Sequence, residues 1–173
     1  MALTLVLGGA RSGKSGFAQA QGEAQAEAQG GAGRLVMIAT GQAFDDEMRA
    51  RIEQHRRERG AAWRTLEAPL ELPQALGGLH DDDVVVVDCL TLWLSNLMLG
   101  DRAIEPETTA LRATLTRMKN PIWLVSNEVG LGIVPENALA RRFRDAAGRL
   151  HQQLAAQADH VVLMVAGLPV MVK

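Results

Sequence analysis

Gly8-Gly9-Ala10-Arg11-Ser12-Gly13-Lys14-Ser15 lies between an apolar run, Leu3 to Leu7, and an Ala/Gln/Glu-rich stretch from Ser15 to Gln29. The octet fits G-x-x-x-x-G-K-[ST] in full. Its glycines allow successive backbone N–H groups to turn inward on phosphate oxygens, and a following helix adds the positive end of its dipole. In that frame all eight residues bind nucleotide: Lys14 reaches the β- and γ-phosphates and the Ser15 hydroxyl ligates Mg²⁺. The apolar run predicts a strand and the Ala-rich stretch a helix, the context that the motif demands. The chain has only three lysines, Lys14, Lys119 and Lys173. An unspecialised Gly-rich turn would not explain why one of them stands at this position.

Working outward, Gly30, Gly31 and Gly33 close the helix and Arg34 to Ala39 reads as a second strand. From Asp45 to Arg59 the chain is highly charged, with Phe44, Met48, Ile52 and His55 at helical spacing. Trp63 to Leu66 predicts a short strand, Pro69 to Leu76 a short helix, and Val84 to Val87 a β-branched strand ending at Asp88. Ile122 to Val125 and Val161 to Val165 are further strands, and Leu139, Phe143, Ala146, Leu150 and Leu154 mark a helix between them. Gly167-Leu168-Pro169 turns into a last strand, Val170 to Val172, antiparallel to its neighbour. Apolar strands without alternation, separated by helices, form a mostly parallel sheet covered on both faces. The expected fold is a three-layer α/β P-loop NTPase of RecA-like type with a C-terminal antiparallel strand, residues 1–173 forming one catalytic domain.

Composition narrows the function. At 173 residues the chain leaves little room for two catalytic domains, so any complex activity has to share one site. The formal net charge of −2 argues against a nucleic-acid coat, which needs a basic excess. One cysteine, Cys89, forms no internal disulfide, the N-terminus lacks the pattern of a secretory signal, and no apolar run approaches a membrane span. A cytoplasmic protein is the expectation.

A phosphate loop alone is compatible with a small-molecule kinase, a motor hydrolase or a switch. The base-reading N-K-x-D segment of a regulatory GTPase is absent, and a motor would carry partner domains, so transfer to a small acceptor is favoured. Asp88, at the end of the valine strand, fits the acidic position that assists Mg²⁺ beside Ser15. His55 has two readings. It either completes the apolar stripe of Met48 and Ile52, or, ringed by Arg51, Arg56, Arg57 and Arg59, attacks phosphorus through a neutral ring nitrogen. Spacing leaves both open. His80, His151 and His160 have no supporting spacing for a metal-ligating role, and His151 and His160 are expected to be structural.

GGARSGKS, then IATGQAFDDEMRARIEQHRRERGAAWRTLEAP, then VVVVDCLTLWLSNL, then VSNEVGLGIVPENALARRFRDAAGRLHQQLA together resemble the bifunctional adenosylcobinamide kinase/adenosylcobinamide-phosphate guanylyltransferase family of cobalamin biosynthesis, nearly end to end. The resemblance implies two successive reactions. ATP or GTP phosphorylates the terminal hydroxyl of adenosylcobinamide; GTP then gives GMP to a histidine, releasing pyrophosphate, and the GMP passes to adenosylcobinamide phosphate. The matching segment holds one histidine, so the resemblance assigns the intermediate to His55. It also implies guanine-nucleotide contacts at Thr40, Gly41 and Gln42, at Arg56, Arg57, Glu58 and Arg59, and at Glu67 and Asp88, together with a homotrimeric assembly. Glu128 stands open as a residue that assists the metal or the acceptor hydroxyl. The loop from Asn127 to Asn137 stands open as corrinoid-facing or intersubunit. The alternative function is a regulatory or small-molecule-kinase NTPase without a covalent intermediate.

Overall fold

The computed structural model describes residues 2–30, 34–42 and 62–173. In chain order these form β1 (Leu3–Gly8), α1 (Lys14–Ala28), β2 (Arg34–Ala39), β3 (Trp63–Glu67), α2 (Leu72–Gly77), β4 (Asp83–Asp88), α3 (Leu90–Leu99), α4 (Ile104–Arg117), β5 (Ile122–Asn127), α5 (Ala138–Gln157), β6 (His160–Val165) and β7 (Leu168–Met171). The expected helix over 45–59 lies outside the described residues.

The seven strands form one sheet in the order β3-β2-β4-β5-β1-β6-β7. All neighbours are parallel except β6 and β7. The α/β P-loop class is therefore as the sequence implies, including the C-terminal antiparallel pair. β5 stands between the strand that carries the phosphate loop and the strand that ends at Asp88, the RecA-like arrangement.

The strands read as continuous apolar runs because both faces are covered. Leu3, Leu5, Val85, Val87, Ile122 and Leu124 point into one core layer, with Leu72 and Leu76 of α2, Trp93 and Leu97 of α3, Leu111 and Leu115 of α4, and Leu150 and Leu154 of α5. Val6, Val84, Val86, Trp123 and Val125 point into the other, against Ala18 and Ala26 of α1. Small residues let α1 lie close to the sheet: a Cβ on Gly22 would meet the Trp63 ring at 3.1 Å.

Two helices, α3 and α4, fall where the sequence reading makes no assignment. LTLWLSNLML is apolar almost all round and shows no one-sided stripe, because Leu90, Trp93, Leu94 and Leu97 are buried between α5, α4 and the sheet. Among the described residues no helix is long and apolar enough to cross a membrane.

Candidate active site

Parallel strands place their C-terminal ends on one edge, and the register assembles the predicted residues there. Glu67 of β3 pairs with Ala39 of β2, Ala39 pairs with Asp88 of β4, and Asn127 of β5 pairs with Gly8 of β1. Along that edge lie Glu67, the turn Thr40-Gly41-Gln42, Asp88, Asn127 with Glu128, and the phosphate loop. His55, Arg56, Arg57, Glu58 and Arg59 lie outside the described residues.

The loop is built on backbone geometry that its sequence permits. Gly8 has φ +152°, and a Cβ there would lie 2.6 Å from Ser12 Oγ and 2.7 Å from the Met164 carbonyl oxygen. Gly13 caps α1 in the left-handed region at φ +93°. The β6–β7 turn, with positive φ at Ala166 and Gly167, braces the loop through the Gly167 N–H, which donates to the Ser12 carbonyl at 3.0 Å. Gly9, Ala10 and Arg11 are exposed, while Ser12 and Ser15 are half-buried.

Lys14 folds back across this loop. Its side chain is 6% exposed, and Nζ donates to the Gly9 carbonyl at 2.5 Å and reaches Ser12 Oγ at 3.4 Å. Burial pushes the ammonium below its usual value, countered in part by the Asp88 carboxylate. A partly desolvated cation of this kind gains most when an anion such as a polyphosphate arrives.

The ends of β2, β4 and β5 are tied by a polar network. Thr40 is fully buried; its hydroxyl donates to the Cys89 carbonyl at 2.6 Å and accepts from the Cys89 N–H at 2.9 Å. Asn96 Nδ2 donates to the Thr40 carbonyl at 2.8 Å. The Thr91 hydroxyl lies 3.1 Å from Cys89 Sγ and accepts from Asn127 Nδ2 at 3.0 Å. Burial pushes the Cys89 thiol up to about 11, so it is protonated at neutral pH. Thr40 thus has its polar atoms engaged within the fold, and the half-buried Gly41 and Gln42 follow it towards the open edge.

Three participants carry no site signal in the sequence. Cys89 and Thr91 flank the start of α3 and bear no motif. Asn127 lies in a stretch noted for following a strand end, but only the β1–β5 register sets it beside the loop. Glu128 and His151 also come together: Glu128 Oε2 lies 3.8 Å from His151 Nδ1, and the Glu128 N–H donates to the Gly8 carbonyl at 2.9 Å. Beyond Glu128 the chain presents Leu131 and Ile133 to solvent, 86% and 97% exposed.

Among the described residues no group of three or more His, Cys, Asp or Glu side chains is placed to hold a metal. The Ser15 hydroxyl and Asp88 carboxylate fit Mg²⁺, which keeps much of its shell as water and phosphate oxygens and takes few protein ligands.

The family model described as cobinamide kinase / cobinamide phosphate guanyltransferase matches residues 4–172. The chain is 46% identical over 172 residues to the bifunctional adenosylcobalamin biosynthesis protein CobP of Pseudomonas aeruginosa, covering 98% of this chain and 96% of that protein. It is 43% identical over 187 aligned positions to the bifunctional adenosylcobalamin biosynthesis protein CobU of Salmonella typhimurium, and 42% identical over 187 to that of Escherichia coli. Both of these alignments cover 99% of each chain.

Proposed function

The chain belongs to the cobinamide kinase / cobinamide phosphate guanyltransferase family, and from that premise we propose that it catalyses two successive reactions at one phosphate loop. The observation that carries this reading is the phosphate loop itself, with Lys14 buried across it and influenced by Asp88, in a chain whose family membership spans residues 4–172.

In the first reaction, the N–H groups of residues 8–15 cradle the triphosphate of ATP or GTP, and Lys14 neutralises charge building on the β- and γ-phosphate oxygens. The terminal hydroxyl of adenosylcobinamide attacks the γ-phosphorus. Ser15 and Asp88 would hold Mg²⁺, which supplies further neutralisation of phosphate charge when bound. In the second, His55 attacks the α-phosphorus of GTP through a neutral ring nitrogen and pyrophosphate departs. The resulting phosphoramidate then passes GMP to adenosylcobinamide phosphate, giving adenosylcobinamide-GDP, so that one hard displacement is divided into two easier ones.

Arg56, Arg57 and Arg59 stabilise charge on the transferring nucleotide, while Glu58, Gly41, Gln42 and Glu67 contact the nucleotide. Thr40 serves this turn from within, by fixing the β2 and β4 ends against each other. We further propose that residues 1–173 act as one domain, in a cytoplasmic homotrimer.

Incubation with α-labelled GTP tests the reading. Wild type acquires acid-labile, base-stable label, and His55→Ala acquires none. Absence of label on wild type, or equal label on His55→Ala, contradicts the guanylyl-transfer assignment.

A further inference from the structure

The kinase step needs a group to take the proton of the attacking hydroxyl, and none of the residues assigned above does so. Resting on the functional reading just given, we propose that the Glu128 carboxylate accepts that proton and that His151 is a positioning residue that aims it.

Glu128 is the first residue beyond β5, and its N–H donates to the carbonyl of Gly8 at 2.9 Å, which sets its backbone against the opening residue of the phosphate loop. Its carboxylate is held by a backbone N–H on one side and faced by a histidine nitrogen, beyond hydrogen-bond distance, on the other. Oε1 accepts from the Gly130 N–H at 2.5 Å, and Oε2 faces His151 Nδ1 at 3.8 Å. The side chain is still 23% exposed, so a bound acceptor can reach it and a proton can leave it.

The histidine is arranged for orienting rather than for neutralising. His151 is buried on α5, and its Nε2 lies 2.7 Å from Ser126 Oγ. Ser126 is fully buried, and among the described residues its hydroxyl has this one hydrogen-bond partner. The tautomer assigned is the one in which the Ser126 O–H donates to Nε2, because it strands no hydroxyl proton in the core and turns Nδ1–H, not a lone pair, towards the Glu128 carboxylate. Burial pushes the ring below its usual pKa, against a smaller opposing effect of Glu128, and so keeps it neutral. An arginine at this place would lock the carboxylate in an ion pair. A neutral N–H directs it and leaves it open to a proton.

The acceptor oxygen bonds to the γ-phosphorus as its proton moves to Glu128. The bond from the γ-phosphorus to the β,γ-bridging oxygen breaks, and its electron pair leaves with the nucleoside diphosphate. Glu128 then releases its proton to solvent.

Steady-state transfer of γ-labelled phosphate to adenosylcobinamide tests this in Glu128→Gln, His151→Leu and His151→Asn. Glu128→Gln keeps the shape and the acceptor for Gly130, and its kcat falls about 100-fold or more with the nucleotide KM within about twofold of wild type. His151→Leu lowers kcat about tenfold, and His151→Asn recovers most of the loss. Both changes lose the Ser126 contact, but the asparagine amide restores an N–H near the Nδ1 position. The inference is overturned if Glu128→Gln turns over within about threefold of wild type, or if the two His151 variants are equally impaired. Wild type in the same assay separates failure of the Glu128 role from failure of the kinase reading. If it phosphorylates no cobinamide, the kinase reading fails and the role of Glu128 fails with it.

Discussion

The Thr40 hydroxyl is hydrogen-bonded twice to one residue, donating to the Cys89 carbonyl at 2.6 Å and accepting from the Cys89 N–H at 2.9 Å. That pair of bonds joins the end of β2 to the residue after Asp88, and so sets where the acidic tip of β4 stands relative to the turn at Thr40 to Gln42.

Thr40→Val keeps the shape and removes both bonds. The buried Cys89 N–H is left without its acceptor, whereas the Cys89 carbonyl keeps the Trp93 N–H. Urea unfolding should show a loss of about 2 kcal/mol, with Thr40→Ser close to wild type. An unchanged midpoint for Thr40→Val would show that the bonds contribute nothing net.

Gly8→Ala tests the loop's need for a bare backbone. The added methyl would meet the Met164 carbonyl oxygen at 2.7 Å, and that atom belongs to the sheet and cannot rotate away as Ser12 Oγ can. We expect destabilisation of about 2 kcal/mol and at least tenfold weaker binding of a nucleoside triphosphate by calorimetry. Wild-type affinity in Gly8→Ala would mean that the loop binds in a different conformation.

His151 predicts a pH dependence of stability with a defined sign. Its folded pKa is lowered by burial, so the unfolded chain binds more protons than the folded one as pH falls below the ordinary imidazole value of about 6.5. The histidine's contribution is full above that value and is lost progressively until the lowered folded pKa is reached. Unfolding free energy should therefore fall more steeply below about pH 6.5 in wild type than in His151→Asn. Parallel curves for the two proteins would contradict a buried neutral ring.

What sequence alone revealed followed from local chemistry. The phosphate loop is contiguous, and the valine run ending at Asp88 owes its legibility to a strand buried on both faces. The β6–β7 pair was legible from Gly167, which supplies one of the two positive φ angles of its turn. Helix α3 was not, since a helix buried nearly all round loses the stripe that betrays amphipathic helices. Nor was the site network. Thr40 meets Cys89 across 49 positions and Ser126 meets His151 across 25, separations that no motif spans. His151, expected to be structural for want of spacing, has Glu128 as a partner only because β5 and α5 pack together. The position of β5 between β1 and β4 is likewise a property of the sheet, not of any one strand.

If one phosphate loop serves both reactions, Lys14→Met impairs both, because it removes the buried ammonium while retaining an unbranched side chain. Transfer of γ-phosphate to adenosylcobinamide and incorporation of α-labelled GMP into the protein should be measured on the same preparation. Both rates are predicted to fall together, each by about 100-fold or more. Loss of one with the other at the wild-type rate would require a second triphosphate site and would contradict a shared loop.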